Sequence, residues 1–205
     1  MKIVAETLPI SVPIYEFGSF QVRGQESFAD LRPFFNGKEY VGCDMRKGLG
    51  VDRILDLHCI SLPSESVGTV LILDTLEHVE FPRKAIEEVH RIMKPDGLLV
   101  ISSVMSCPIH DYPSDYWRFT PNGFDSLLNI FPSRFIVAVG RDDFPHTVVG
   151  IGFKSAVSEG CMLEFTKRVE KWKKQGIALP RSLKTLVRLF LPPIILGLYR
   201  KCRRA

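Results

Sequence analysis

Strand-like runs in the first part of the chain are continuous and apolar rather than alternating, the pattern of a parallel sheet buried on both faces. They fall at residues 14–18, 40–44, 53–57, 69–73, 98–102, 135–139 and 148–153. Helical periodicity separates the fourth run from the fifth. Pro82 suits a first helical turn, Ala85, Ile86, Val89 and Met93 recur on one face, and Lys94-Pro95-Asp96-Gly97 stops the helix. A second helix is expected from Asn122 as its cap, with Phe124, Leu127, Leu128 and Phe131 on its apolar side. Right-handed crossovers between such strands give an α/β fold, a doubly wound and mostly parallel seven-stranded sheet that takes ligands at the carboxyl ends of its strands.

Composition adds a boundary. The chain has 205 residues, the size of one ordinary domain plus an appendage, and its net charge of +4 is unevenly spread. Residues 1–160 carry 15 Lys and Arg against 21 Asp and Glu, whereas 161–205 carry 12 against 2. The reading is therefore a domain over residues 1–155 and a basic helical C-terminal tail over 156–205. Five cysteines show neither Cys-x-x-Cys pairing nor histidines at metal-ligand spacing, so no metal is expected and a cytoplasmic setting is the simplest. The opening MKIVAETLPISV lacks the apolar run of a secretory signal, and the apolar stretch 189–199 is too short to span a membrane.

The strand ends hold the candidate chemistry. The first ends in Tyr15-Glu16-Phe17-Gly18, the second in Gly42-Cys43-Asp44-Met45, the third in Asp56-Leu57. Three carboxylates converge on one edge. Asp44 lies 28 residues after Glu16, a spacing suited to an acid that accepts hydrogen bonds from ribose hydroxyls, and Gly18 lets the backbone approach a ligand closely. The competing reading is that such acids are helix caps and turn formers.

The series YEFGS, YVGCDM, GVDRILDLHCISLP, LILDTLEHVEFPRKAIEEVHRIMKPDG and PIHDYPSDYWRFTPNGF resembles the class I S-adenosylmethionine-dependent methyltransferases, in the branch with the type 11 methyltransferase domain. The likeness covers about residues 12–153 and is most specific at LDTLEHV and RIMKPDG. It implies the Rossmann-like methyltransferase fold and S-adenosylmethionine as cofactor. It further implies that Glu16 and Gly18 border the methionine moiety, that Asp44, followed by Met45, holds the ribose, that Asp56 with Leu57 meets the adenine, and that Asp74 and Thr75 floor the pocket. Two features depart from the family. Phe20 and Val22 stand where its loop has a second and third glycine, so the loop must take another path, and only about a dozen residues precede the first strand.

The segment 110–120, HDYPSDYWRFT, follows the fifth strand and is expected over the mouth of the site. Its aromatic faces could attract a sulfonium, and His110 or Asp115 could take a proton from an acceptor hydroxyl or amine. In the alternative the loop is packed, with Trp117 buried and Arg118 paired to a carboxylate. Methyl transfer asks mainly for alignment, so a dedicated base is not required. His78 and Cys107 read as structural.

In the tail, Met162, Phe165, Val169 and Trp172 share a helical face amid Lys167, Arg168, Lys171, Lys173 and Lys174. The rest, RSLKTLVRLFLPPIILGLYRKCRRA, can lie in an anionic membrane interface. Docking on the body's acidic surface ranks second and RNA binding third, because no RNA-binding module is visible and nucleic acid is not expected as partner. The resulting expectation is a methyltransferase for a small-molecule, lipid or saccharide acceptor, peripheral to the inner face of a membrane. The alternative is a non-catalytic binding or scaffold protein on the same fold.

Overall fold

The computed structural model describes residues 1–22, 24, 29–110, 114–141 and 143–176. The chain divides into two units, Met1–Phe165 and Thr166–Ala205. The first holds seven strands: β1 Ile14–Phe17, β2 Tyr40–Asp44, β3 Arg53–Ile54, β4 Val67–Leu73, β5 Met93–Val104, β6 Ser133–Gly140 and β7 Pro145–Phe153. They form one sheet in the order β3-β2-β1-β4-β5-β7-β6. Neighbours from β3 to β5 pair in parallel, while β7 runs antiparallel to both β5 and β6. This is the expected mostly parallel, Rossmann-like sheet, closed by a hairpin.

The central apolar runs became strands because both faces of the sheet are covered there. All four residues of β1 are buried, as are the first six of β4. Only β3 contracts, to two exposed residues at the sheet's margin, where an edge position removes the need for a longer apolar run. Helix α2, Pro82–Ile92, buries Ala85, Ile86, Val89 and Ile92, with Pro82 in its first turn as expected. Met93 belongs to β5 instead of the helix. It pairs with Val67 and Leu98 pairs with Thr69, so residues 94–97 form an irregularity in the ladder.

Helix α3, Pro121–Leu127, corrects the expected cap. The Thr120 hydroxyl, not Asn122, accepts the Gly123 N–H at 3.0 Å, and Pro121 occupies the first turn. A proline needs no partner for its missing N–H there, which favours a start two residues earlier. Phe124, Leu127, Leu128 and Phe131 are all buried, as the periodicity requires. A short α1, Lys2–Thr7, precedes the sheet, and α4, Glu159–Gly176, follows it. Phe165 of α4 is buried, edge-on to Phe135 of β6 at 5.6 Å. Residues 177–205, with most of the basic apolar tail, lie outside the described residues, and no described helix is long and apolar enough to cross a membrane.

Thr120→Ala is expected to destabilise the protein by about 1 kcal/mol in chemical denaturation, while Asn122→Ala, exposed inside the helix, stays within about 0.5 kcal/mol of wild type. Equal losses from both would remove Thr120 as the cap.

Candidate active site

The sheet order reverses between β1 and β4, and the crevice at their carboxyl ends is where an open α/β sheet takes its ligand. Phe17 pairs with Cys43 on one side and Ile72 on the other, so the register brings Gly18, Asp44 and Leu73 level. Gly18 has φ +85°, and a Cβ on it would lie 2.0 Å from the Thr75 hydroxyl. No side chain fits there. Asp74, exposed at the same edge, holds φ +46°, sparsely populated for a non-glycine residue, and its carboxylate accepts a hydrogen bond from the Ser102 hydroxyl at 2.9 Å. Of the sequence-derived residues, the structure thus gathers Gly18, Asp44, Asp74 and Thr75 around one crevice.

The remaining residues expected to meet the cofactor are more dispersed. Met45 is exposed next to Asp44. Asp56 accepts from the His58 backbone N–H at 2.8 Å and lies 2.9 Å from its ring, while the Leu57 side chain is buried in the core. Glu16 is buried and accepts the Tyr40 hydroxyl at 2.6 Å. Burial pushes its carboxyl above the ordinary value, against the opposing pull of Tyr40 and Arg32.

The altered glycine loop follows the different path its sequence requires. Phe20 lies where a Cβ on Gly48 would meet its ring at 2.2 Å, the Gln21 N–H donates to the Leu49 carbonyl at 2.9 Å, and a Cβ on Gly50 would strike the Ser19 carbonyl at 2.3 Å. Segment 19–21 therefore packs against 48–50, the loop after β2. Gly48 and Gly50 supply the close approach that the missing glycines would have given, which no local pattern announced. Arg46 lies 4.3 Å over the Phe20 ring and donates through Nε to Asp44 at 3.1 Å. Underneath, Arg32 donates to the Gly50 carbonyl at 3.0 Å and to Asp52 at 2.8 Å, and Asp52 also accepts the Gly42 N–H at 2.8 Å.

The described part of the segment after β5 docks on the turn Leu76–His78, a single 3-10 turn that follows β4. Tyr116 and Trp117 N–H groups donate to the Glu77 carbonyl at 2.8 and 3.2 Å, and the Trp117 indole donates to the Val79 carbonyl at 3.0 Å. Asp115, with its side chain 2% exposed, forms a bidentate pair with Arg118, one arm at 2.6 Å, and accepts the His110 backbone N–H at 2.8 Å. Arg118 first, and then His110, hold the Asp115 carboxyl far below the ordinary range despite its burial. Trp117 is 43% exposed rather than buried. The His110 side chain is 44% exposed and stands edge-on to His78 at 4.8 Å. Residues 111–113 lie outside the described residues.

Glu77, overlooked in the sequence, is 1% exposed and accepts the Ser103 hydroxyl at 2.8 Å. Burial raises its carboxyl above the ordinary value. A groove of about 560 Å³ near Trp117, Phe81 and Leu127 touches neither Gly18 nor Asp44, so it is separate from the crevice.

Residues 29–101 match the methyltransferase domain family. That match, over about a third of the chain, supports a class I methyltransferase domain here. The chain is a methyltransferase whose methyl donor is S-adenosylmethionine. Its fold is similar to that of an S-adenosylmethionine-dependent methyltransferase from Thermotoga maritima, at 19% identity over 75% of this chain and 87% of that one, with a TM-score of 0.55. It is similar also to the 1,6-didemethyltoxoflavin-N1-methyltransferase of Burkholderia thailandensis, at 17% identity over 70% and 71%, with a TM-score of 0.54. A methyltransferase from Archaeoglobus fulgidus gives 16%, 69% and 85%, and 0.52. No curated protein matches the methyltransferase by sequence at a significant level.

Burial raises the Asp52 carboxyl, but the Gly42 N–H and Arg32 outweigh it and hold it below 3.8. A depressed folded pKa contributes stability above the unfolded value and loses it as pH falls through the folded one. Asp52→Asn should therefore cost about 1 kcal/mol at pH 7, a modest figure because the side chain is half exposed, with the difference from wild type fading below pH 3.8. Urea midpoints at pH 7 and pH 3 check it; a gap that widens in acid has the wrong sign.

Proposed function

We propose that this methyltransferase acts on a small-molecule, lipid or saccharide acceptor held between the β1/β4 crevice and the segment 110–120. The observation that carries this reading is the docking of Tyr116 and Trp117 on the Glu77 carbonyl, which ties the loop after β5 to the strand end that bears Asp74. Cofactor-side and acceptor-side residues then share one sheet edge.

The crevice residues fit S-adenosylmethionine. Gly18 offers bare backbone for the methionine moiety, Asp44 an acceptor for the ribose hydroxyls with Met45 beside it, Asp56 and the Leu57 backbone an edge for the adenine, and Asp74 with Thr75 the floor. Glu16, spent on Tyr40, supports the loop from below. When bound, the cofactor supplies an electrophilic methyl on a sulfonium. The protein's part is alignment, so a residue near the acceptor need only orient it or take its proton. His110 is exposed enough to orient the acceptor, whereas Asp115 is committed to Arg118 and acts by positioning the His110 backbone.

The ribose must compete with Arg46 for Asp44. Calorimetric titration of the full chain with S-adenosylhomocysteine should give one site per chain, and Asp44→Ala should weaken it roughly ten- to a hundred-fold, the worth of a charge-assisted hydrogen bond. Absence of heat from the wild type at millimolar ligand would overturn the cofactor assignment.

The basic tail supports a membrane-surface acceptor or setting, because its apolar run 189–199 ends in four basic residues among the last six. The full chain should co-sediment with vesicles rich in phosphatidylserine at low salt, and deletion of residues 177–205 should abolish this. Unchanged sedimentation after the deletion would place the membrane contact elsewhere or nowhere.

A further inference from the structure

The turn after β4 and the loop after β5 bring together three groups 33 residues apart in sequence at most. Glu77, His78 and His110 each offer one ligand atom, all within 4.8 Å of one another. Two further observations point to a ligand. Glu77 Oε1 is buried and has no hydrogen-bond partner among the described residues, Oε2 being the oxygen that takes Ser103. Both imidazoles are also turned by their Nδ1 atoms toward oxygen. His78 Nδ1 lies 2.6 Å from the Ser114 carbonyl, which can only accept. His110 Nδ1 lies 3.2 Å from both the Pro108 carbonyl and the Asp115 carboxylate. The Cys107 thiol is farther from His110 Nδ1, at 3.9 Å, so the nearer oxygens place the hydrogen of each neutral ring on Nδ1 and the lone pair on Nε2. An outer oxygen that fixes the tautomer in this way is the usual companion of a metal-binding histidine.

We propose that Glu77, His78 and His110 form a site for a divalent first-row transition ion of the Zn²⁺ or Co²⁺ kind. One carboxylate and two imidazoles are a donor set of intermediate softness, suited to such ions rather than to Mg²⁺ or Ca²⁺. Ligand atoms of a tetrahedral site stand about 3.4 Å apart, so the triad closes by at most roughly 1.4 Å on loading. His110, on an exposed loop, is the member able to move. Asp74 adds negative charge nearby. Three protein ligands leave coordination open to an outside oxygen, the arrangement of catalytic rather than purely structural sites. Local spacing concealed this site, because His110 reaches it only once the segment docks on the turn Leu76–His78.

The test is cobalt titration of the chelator-treated full chain, read by visible absorption and by equilibrium dialysis against micromolar CoCl₂. One Co²⁺ per chain with d–d bands is expected, and His110→Ala and Glu77→Gln should each weaken binding at least ten-fold. Circular dichroism reports folding, and should Glu77→Gln fail to fold, His110→Ala on the exposed loop decides alone. Absence of stoichiometric cobalt at 1 mM, or binding unchanged in His110→Ala, overturns the site. S-adenosylhomocysteine titration of the same samples is an independent reading, so loss of the metal site and loss of the cofactor assignment are distinguishable.

Discussion

The close approach of Gly18 to Thr75 is the contact on which the rest of this site depends. The Thr75 hydroxyl occupies the volume a side chain at position 18 would need, donates to the Leu73 carbonyl at 2.8 Å and lies 3.5 Å from the Phe17 carbonyl. It thereby ties together the ends of β1 and β4, where the sheet order reverses. Asp74 must take its left-handed conformation immediately before, because the chain turns there from strand into the short turn Leu76–His78. That turn drops Glu77 into the interior and leaves its carbonyl as the acceptor for Tyr116 and Trp117. The position of the loop after β5 is thus inherited from a glycine some hundred residues earlier.

The loss of two glycines after β1 is a displacement of conformational freedom more than a loss of it. A glycine-rich loop works because backbone can come close to whatever lies above it. Here the loop after β1 carries Phe20 and Gln21, and the partner segment supplies the bare backbone through Gly48 and Gly50. The Phe20 ring then becomes a platform for Arg46, worth about 0.5–1 kcal/mol where partly exposed. The consequence is that Asp44 is already engaged by Arg46, itself stacked on Phe20.

Much of this architecture is legible in the amino-acid sequence. Buried parallel strands must be apolar on both faces, so the seven runs and the acids that end them stand out. The Thr120 cap is obscured by Asn122, an equally good capping residue two positions later, and what separates the two is Pro121 as a first-turn residue. Arg46 over Phe20 and the meeting of His110 with His78 are not legible, since each depends on how two loops from different strands fold back on each other. Glu77 is hidden for another reason. Nothing local in LEHV marks its glutamate as buried, and only the 3-10 turn rotates it inward onto Ser103.

That inward rotation is difficult to account for without a ligand. Leaving a carboxylate oxygen buried and unpaired costs about 1–3 kcal/mol or more. A proton on Oε1 would neutralise the charge but create an O–H donor that still has no acceptor among the described residues. It would also do nothing for the two imidazole lone pairs close by. A hydrophobic or amide side chain would fill the same volume at lower cost, so packing alone gives no reason for a carboxylate. A divalent cation answers all three needs at once, and the oxygen atoms fixing both Nδ1 hydrogens are already in place to receive it.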